Sequence, residues 1–287
     1  MMNAILIDKA VKESFVEHLR TRQLSDGTIS SYIYHLSLLT EYAGEMIRDI
    51  DHFLGFHDYI KGKNWSVETV NNIYSSVNKF MVFLKVEWRL NKEKVQRRPF
   101  IPPERFLTKD EYSILLAKAA ELGDDRLSML LQTICSTGIR VSELRFITVE
   151  CLSQGFVQVK NKGKIRPIIL PKALIQKLKR YCREHSITSG PVFVTRTGKP
   201  LDRSNIWKMM KRLAKLAGVA ETKVFPHNLR HLFARTFEEK YHDTSSLATV
   251  LGHSSINTTR IYIASNGQKE RQMMDALGQI LTEIPQS

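Results

Sequence analysis

Cysteine is scarce in this 287-residue sequence: Cys135, Cys151 and Cys182 are its only three. The number is odd, the spacing wide and no CxxC pair occurs, so neither a disulfide framework nor a zinc site is suggested, and a reducing cytoplasm fits such thiols. Long apolar runs are missing too. The only early one is "AILI" at Ala4 to Ile7, too short for a signal-peptide core, and no stretch approaches the ~20 residues of a membrane span. The expectation is a soluble, cytoplasmic chain without a membrane partner. No internal repeat or low-complexity segment is present. Acidic residues are in deficit: 29 Asp and Glu face 43 Lys and Arg, a net charge of +14 and a pI near 9.7. That excess favours a polyanionic partner through accumulated phosphate contacts and counterion release. With 43% hydrophobic and 25% charged residues, the composition is globular, and the length suffices for two domains that each bury a core.

The first hundred residues read as successive helices. "DKAVKESFVEHLRTRQ" sets Val11, Phe15 and Leu19 at helical spacing. "LSDGTISSYIYHLSLLTEYAG" offers a Ser25 or Asp26 cap, an apolar series of Ile29, Tyr32, Ile33 and Leu36, and a stop at Gly44. "DIDHFLGFHDYIKGK" is a third helix. "SVETVNNIYSSVNKFMVFLKVEW" is a fourth, opened around Ser66 to Thr69, with Val70, Ile73, Val77, Phe80 and Leu84 on one stripe. Pro99, Pro102 and Pro103 then forbid helix within a basic stretch. The expected division is a helical domain over residues 1–98, a linker over 99–106 and a second domain over 107–287.

The second domain is predicted mostly helical, from "LTKDEYSILLAKAAEL" and "RLSMLLQTICSTG" onward, with one exception. Between Gly155 and Pro171 the period becomes extended, and "FVQVK" and "IRPIIL" flank the turn "NKG" as a hairpin. Pro167 confines its strand to an edge or a bulge. The fold class is therefore mainly α with a small antiparallel sheet.

Several polar residues stand out, each with an ordinary structural explanation if taken alone. In "CSTGIRVSELRFI", Arg140 opens a helix after the Ser-Thr-Gly break, near backbone N–H groups that favour anions, and Glu143 shares its face; singly this is a surface ion pair. In "PHNLRH", Pro226 suits a first helical position, and His227 and Arg230 project together about a hundred degrees from the stripe of Leu229, Phe233 and Phe237. "SLATVLGHSSINTTRIYI" gives a short helix ending at Gly252, then His253, then a helix holding Tyr262. Lys162 lies in the polar hairpin turn, where a solvated lysine is commonplace.

Together they form one order: Arg140, Lys162, His227, Arg230, His253, Tyr262. In that order "TGIRVSEL", "KNKGKIRPIILP", "HNLRH" and "LGHSSINTTRIYI" resemble the motif blocks of the tyrosine recombinase and phage-type integrase family, and the helices before residue 100 are similar to its SAM-like core-binding domain. The resemblance covers nearly the whole chain and is nearest to the Xer-like members that lack an arm-binding domain. Asn161 stands where the family's hairpin often has glycine, so the choice of Lys162 over Lys160 or Lys164 rests on the alignment.

The resemblance implies a site-specific DNA recombinase that cleaves and rejoins strands through a 3'-phosphotyrosyl bond. Transesterification loads charge onto phosphate oxygens, and two fixed guanidinium groups supply bidentate donors to them, a role the family gives to Arg140 and Arg230. A phenol with a reference pKa of about 10 needs proton removal before it attacks; Tyr262 is the implied nucleophile and His227 its base. Lys162 is implied as the general acid for the leaving 5'-oxygen, His253 as a donor to the phosphate, and Glu143 as an orienting group. No cofactor or metal is implied, because the phosphotyrosyl bond conserves the phosphodiester energy. The implied partners are duplex DNA with inverted-repeat sites, three further copies in a homotetramer on DNA, and accessory DNA-bending proteins. Two alternatives share these residues or this fold, a type IB topoisomerase and a catalytically silent DNA-binding protein. Finally, Met273, Leu277, Ile280, Leu281 and Ile284 form a stripe that must be buried, either in its own domain or, as the resemblance implies, against a neighbouring protomer.

Overall fold

The computed structural model describes residues 4–94, 102–161, 164–253, 255–263, 271 and 274–275. The turn position Lys162 and the five residues of the C-terminal stripe lie outside the described residues. The chain divides into two compact units, residues 1–97 and 98–287.

In the first unit a two-stranded antiparallel sheet pairs β1 (Ile5–Leu6) with β2 (Met46–Ile47). Around it stand α1 (Lys9–Thr21), α2 (Asp26–Ala43), α3 (Ile50–Lys61) and α4 (Val67–Phe83). Each helix starts on a polar side chain that accepts an otherwise orphan N–H: Asp8 from Val11, Ser25 from Thr28, Asp49 from His52 and Ser66 from Thr69. Ser25 rather than Asp26 is thus the cap of α2. The core is strongly aromatic, with Phe15, Phe53, Phe56, Tyr74 and Phe80 fully buried beside Leu19, Leu36 and Leu39. Leu84, the last residue of the expected α4 stripe, packs against this core from the helix's C-cap position.

The second unit opens with a 3₁₀ turn at Pro103–Arg105, then α5 (Lys109–Glu121) and α6 (Asp125–Thr137). Thr108 and Glu111 form a reciprocal capping box on α5. A 3₁₀ turn over Val141–Phe146 follows, with Arg140 as its N-cap. This corrects the expectation that Arg140 opens an α-helix: the 141–146 segment closes i to i+3 bonds, such as Glu143 N–H to Arg140 O, and then turns toward α7 (Cys151–Gln154). β3 (Phe156–Asn161) and β4 (Lys164–Ile169) make the expected hairpin, with Phe156 opposite Ile169 and Asn161 opposite Lys164. Both strands are edges of a two-stranded sheet, the setting in which Pro167 is tolerated.

Next come α8 (Lys172–Glu184), α9 (Arg203–Ala217), α10 (Pro226–Tyr241), α11 (Thr244–Leu251) and α12 (Ile256–Tyr262), with isolated β-bridges Thr148–Pro191 and Val194–Pro200 made by the connection between α8 and α9. One large core joins Leu115, Leu130, Leu131, Ile134, Leu178, Met210 and Leu229. A smaller cluster gathers Ala234, Leu247, Leu251 and Tyr262 with Phe233 and Phe237. Among the described residues no helix is long and apolar enough to cross a membrane.

Gly138 ends α6 in the left-handed region at φ +62°, where an added Cβ would lie 2.5 Å from Phe233 and 2.8 Å from Leu251. Gly138→Ala combines left-handed strain with overpacking, each costing about 1–3 kcal/mol. Urea unfolding should therefore show a loss of about 2–6 kcal/mol, whereas Gly190→Ala, with φ +73° but open space around it, should lose only the strain component.

Candidate active site

Four chain segments bring their polar groups to one place. The turn after α6 supplies Arg140 and Glu143, β4 supplies Arg166, α10 supplies His227, Arg230 and His231, and the α11–α12 region supplies His253, Thr259 and Tyr262.

Glu143 is buried, at 2% exposure, and its carboxylate is fully engaged. Oε2 accepts the Arg140 backbone N–H at 3.0 Å and Arg166 Nη2 at 2.7 Å, while Oε1 accepts Arg140 Nη1 at 3.1 Å. Burial opposes its ionisation, but the Arg140 N–H and the two guanidinium groups prevail and hold its pKa below the usual carboxylate range. Arg140 itself keeps a third of its side chain in solvent. It is anchored at one end and open at the other.

Arg230 is the most buried of the cations, at 1% exposure. Among the described residues no carboxylate forms an ion pair with it. Its Nη1 donates to the Gly138 carbonyl and its Nη2 to the Leu251 carbonyl at 2.8 Å. Those oxygens lie at the C-terminal ends of α6 and α11, where helix carbonyls lack intrahelical partners and carry partial negative charge. Burial, then the charge of Arg140, lowers its pKa to about 10. The guanidinium stays charged at neutral pH, and since dipoles hold it rather than a counterion, that charge remains available to an anion.

The histidines surround the phenol. His231 stacks on the Tyr262 ring with centroids 4.3 Å apart, His253 lies 4.7 Å away and His227 meets it edge-on at 5.0 Å. Arg230 Cζ stands 5.4 Å from the same ring. The geometry also sets the tautomers. Arginine only donates, so the 3.0 Å contact from Arg230 Nη2 makes His253 Nε2 an acceptor, and its Nδ1–H donates to Thr259 Oγ1 at 2.9 Å. His231 Nδ1–H donates to the Tyr262 carbonyl at 3.2 Å. Burial lowers the pKa of all three imidazoles, followed for His227 and His253 by Arg230 and Arg140; His231 and His253 are pushed down to about 4.

These shifts imply a pH dependence of folding. The unfolded imidazoles bind protons below about 6.5, while His231 and His253 in the folded chain do not until about 4. The unfolded state therefore binds more protons in this window, and stability falls as pH drops from about 6.5 to about 4. Thermal melts should show that fall diminished in His253→Asn.

Six of the seven residues singled out from the sequence, Arg140, Glu143, His227, Arg230, His253 and Tyr262, meet here. The seventh, Lys162, falls outside the described residues, but the strands on either side of its turn also carry Arg166 into the site. Arg166, His231 and Thr259 were not singled out. His231 was visible as the last letter of "HNLRH", and Thr259 one turn before Tyr262. Arg166 carried no signal beyond hairpin alternation. Among the described residues no group of three His, Cys, Asp or Glu side chains is placed to hold a metal ion. What the geometry offers is one guanidinium, Arg230, against a phenol among imidazoles, with the Glu143-held Arg140 in the same site, a set suited to a tetrahedral anion and a nucleophile.

Comparison with known proteins agrees. Residues 105–269 match the phage integrase family and residues 13–87 match its N-terminal SAM-like domain. The tyrosine recombinase XerA of Pyrococcus furiosus is 32% identical, covering 88% of each chain. The tyrosine recombinase XerD of Oceanobacillus iheyensis is 31% identical over 87% of this chain and 92% of its own length. In fold, the chain resembles a lambda integrase dimer bound to a core site (TM-score 0.74, 17% identity, 93% of this chain and 79% of that one). It also resembles XerH bound to its palindromic difH substrate after cleavage (TM-score 0.69, 22% identity, 88% and 79%). Sequence, site and relatives converge: the chain belongs to the phage integrase family, as a tyrosine-type site-specific recombinase.

Proposed function

We propose that this chain cuts and rejoins duplex DNA at inverted-repeat sites, with Tyr262 as the nucleophile. One observation carries the reading: the Tyr262 ring is enclosed by His227, His231, His253 and Arg230 of its own chain, in a site where Arg140 keeps a third of its side chain in solvent. In this reaction the phosphodiester enters as the anion that Arg140 and Arg230 grip. Tyr262 Oη attacks phosphorus and loses its proton to the neutral imidazole of His227. The bond to the 5'-oxygen breaks, and that oxygen leaves with a proton from Lys162. The product is a 3'-phosphotyrosyl bond and a free 5'-hydroxyl; attack by a second strand's 5'-hydroxyl reverses the steps and returns the phenol. His253 Nε2 accepts from Arg230 in the free protein, so donation to the phosphate requires a proton or a ring turn, which the phosphate's negative charge favours. DNA as partner fits the +14 charge and the DNA-bound neighbours in fold. A homotetramer on two duplexes follows from the need to coordinate four cleavages.

The test selects a site from a randomised duplex pool by binding, then presents it nicked so that cleavage is irreversible. A detergent-resistant adduct formed with EDTA present is the expected result. Tight binding with no adduct would mean a silent binder, and relaxation of a plasmid lacking the site would mean a topoisomerase.

The hairpin acid has its own expected outcome. Replacing the bridging 5'-oxygen by sulfur removes the need for a proton, so this substrate should restore cleavage to Lys162→Ala by about 10²-fold or more but leave Arg140→Ala defective. Rescue of Lys164→Ala instead would move the role two residues along.

A further inference from the structure

Arg166 has no part in the chemistry above, yet it touches three pieces of the site. It projects from β4, opposite Val159, on the strand that leaves the turn of Lys162. Nη2 donates to Glu143 Oε2 at 2.7 Å and Nη1 to the Val250 carbonyl at 2.8 Å. Its aliphatic stem lies so close to Gly252 that a Cβ there would collide with Arg166 Cδ. Gly252 has φ +64°, caps α11 and directly precedes His253. Only 15% of the Arg166 side chain is exposed. A planar fork is needed to reach two acceptors in different directions from one stem, which an ammonium does poorly.

The consequences run in three directions. Through Glu143, Arg166 bears on Arg140, which the same carboxylate holds by both its backbone and its side chain. Through Val250 and Gly252 it bears on the turn that presents His253. Through its own strand it bears on the hairpin. We propose that Arg166 is a positioning residue for strand cleavage, one that locks the hairpin, the Arg140–Glu143 pair and the His253 turn into a single frame. The inference rests on the recombinase reading of the site. Arg166 also adds to the charges facing His253, after Arg230 and Arg140 and ahead of His227.

Two measurements test it. The first is single-turnover cleavage of the nicked selected duplex. Misplacement by about 1 Å can cost on the order of 100-fold in rate, so Arg166→Lys, which keeps the charge and loses the fork, should slow cleavage by roughly 10- to 100-fold with half-site affinity unchanged. The loss should shrink in a Glu143→Gln background, because the two residues act through one contact. The second measurement needs no DNA: an NMR titration of His253 should move upward in Arg166→Ala and much less in Arg166→Lys. Arg166→Lys cleaving as fast as the parent would overturn the proposal, as would losses that multiply in the double variant. If the parent forms no adduct, the recombinase reading falls, and the titration alone still decides whether Arg166 and His253 are coupled: an unmoved His253 refutes the link.

Discussion

Tyr262→Phe should form no covalent adduct with the nicked site, a loss on the order of 10⁴-fold or more, while binding the same half-site with unchanged affinity. The change removes one oxygen. The ring that stacks on His231 and meets His227 and His253 is retained, so the surrounding cluster of Ala234, Leu247 and Leu251 keeps its packing. Loss of chemistry without loss of binding or of melting temperature identifies the phenol as the attacking group. Mapping the adduct by proteolysis checks the assignment directly. Recovery of Tyr241, which is exposed at the end of α10, or of any other tyrosine on the nucleotide would show the assignment to be wrong.

Arg230→Ala should be nearly as damaging, and in two separable ways. The catalytic loss, on the order of 10²–10³-fold, is that of removing a preorganised donor aimed at developing charge. The structural loss arises because the Gly138 and Leu251 carbonyls are left buried without a donor, at about 1–3 kcal/mol each. Arg230→Lys separates the two: it restores a cation but cannot span both carbonyls and His253. The 5'-thio substrate should rescue neither variant, since the phosphate's nonbridging charge is unchanged. Cleavage by Arg230→Lys at the parental rate would mean that charge alone suffices and that the fork is dispensable.

Much of this was legible beforehand, for identifiable reasons. The helices of the first unit announced themselves because Ser25, Ser66 and Gly44 are local signals read within one turn. The hairpin showed because its period changes. The candidate set was legible because four motifs follow one another in the order of a known family's blocks, and six of its residues meet in the fold. Arg166 was not, since its meaning lies in partners 23 and 84 residues away, and alternation along a strand cannot reveal them. The β1–β2 pair escaped because two residues per strand are too few to show a period. The 3₁₀ geometry after Arg140 escaped because its side chains would suit an α-helix equally well.

The carbonyls that hold Arg230 bear on when the protein becomes able to cut. Gly138 lies 92 residues from Arg230 in sequence and Leu251 lies 21 residues beyond it. During vectorial synthesis Arg230 therefore emerges well after its first acceptor and before its second, and Tyr262 later still. Such long-range closures form late. Strand-breaking capacity is thus withheld until α11 and α12 have been made and the second unit has closed around its own arginine.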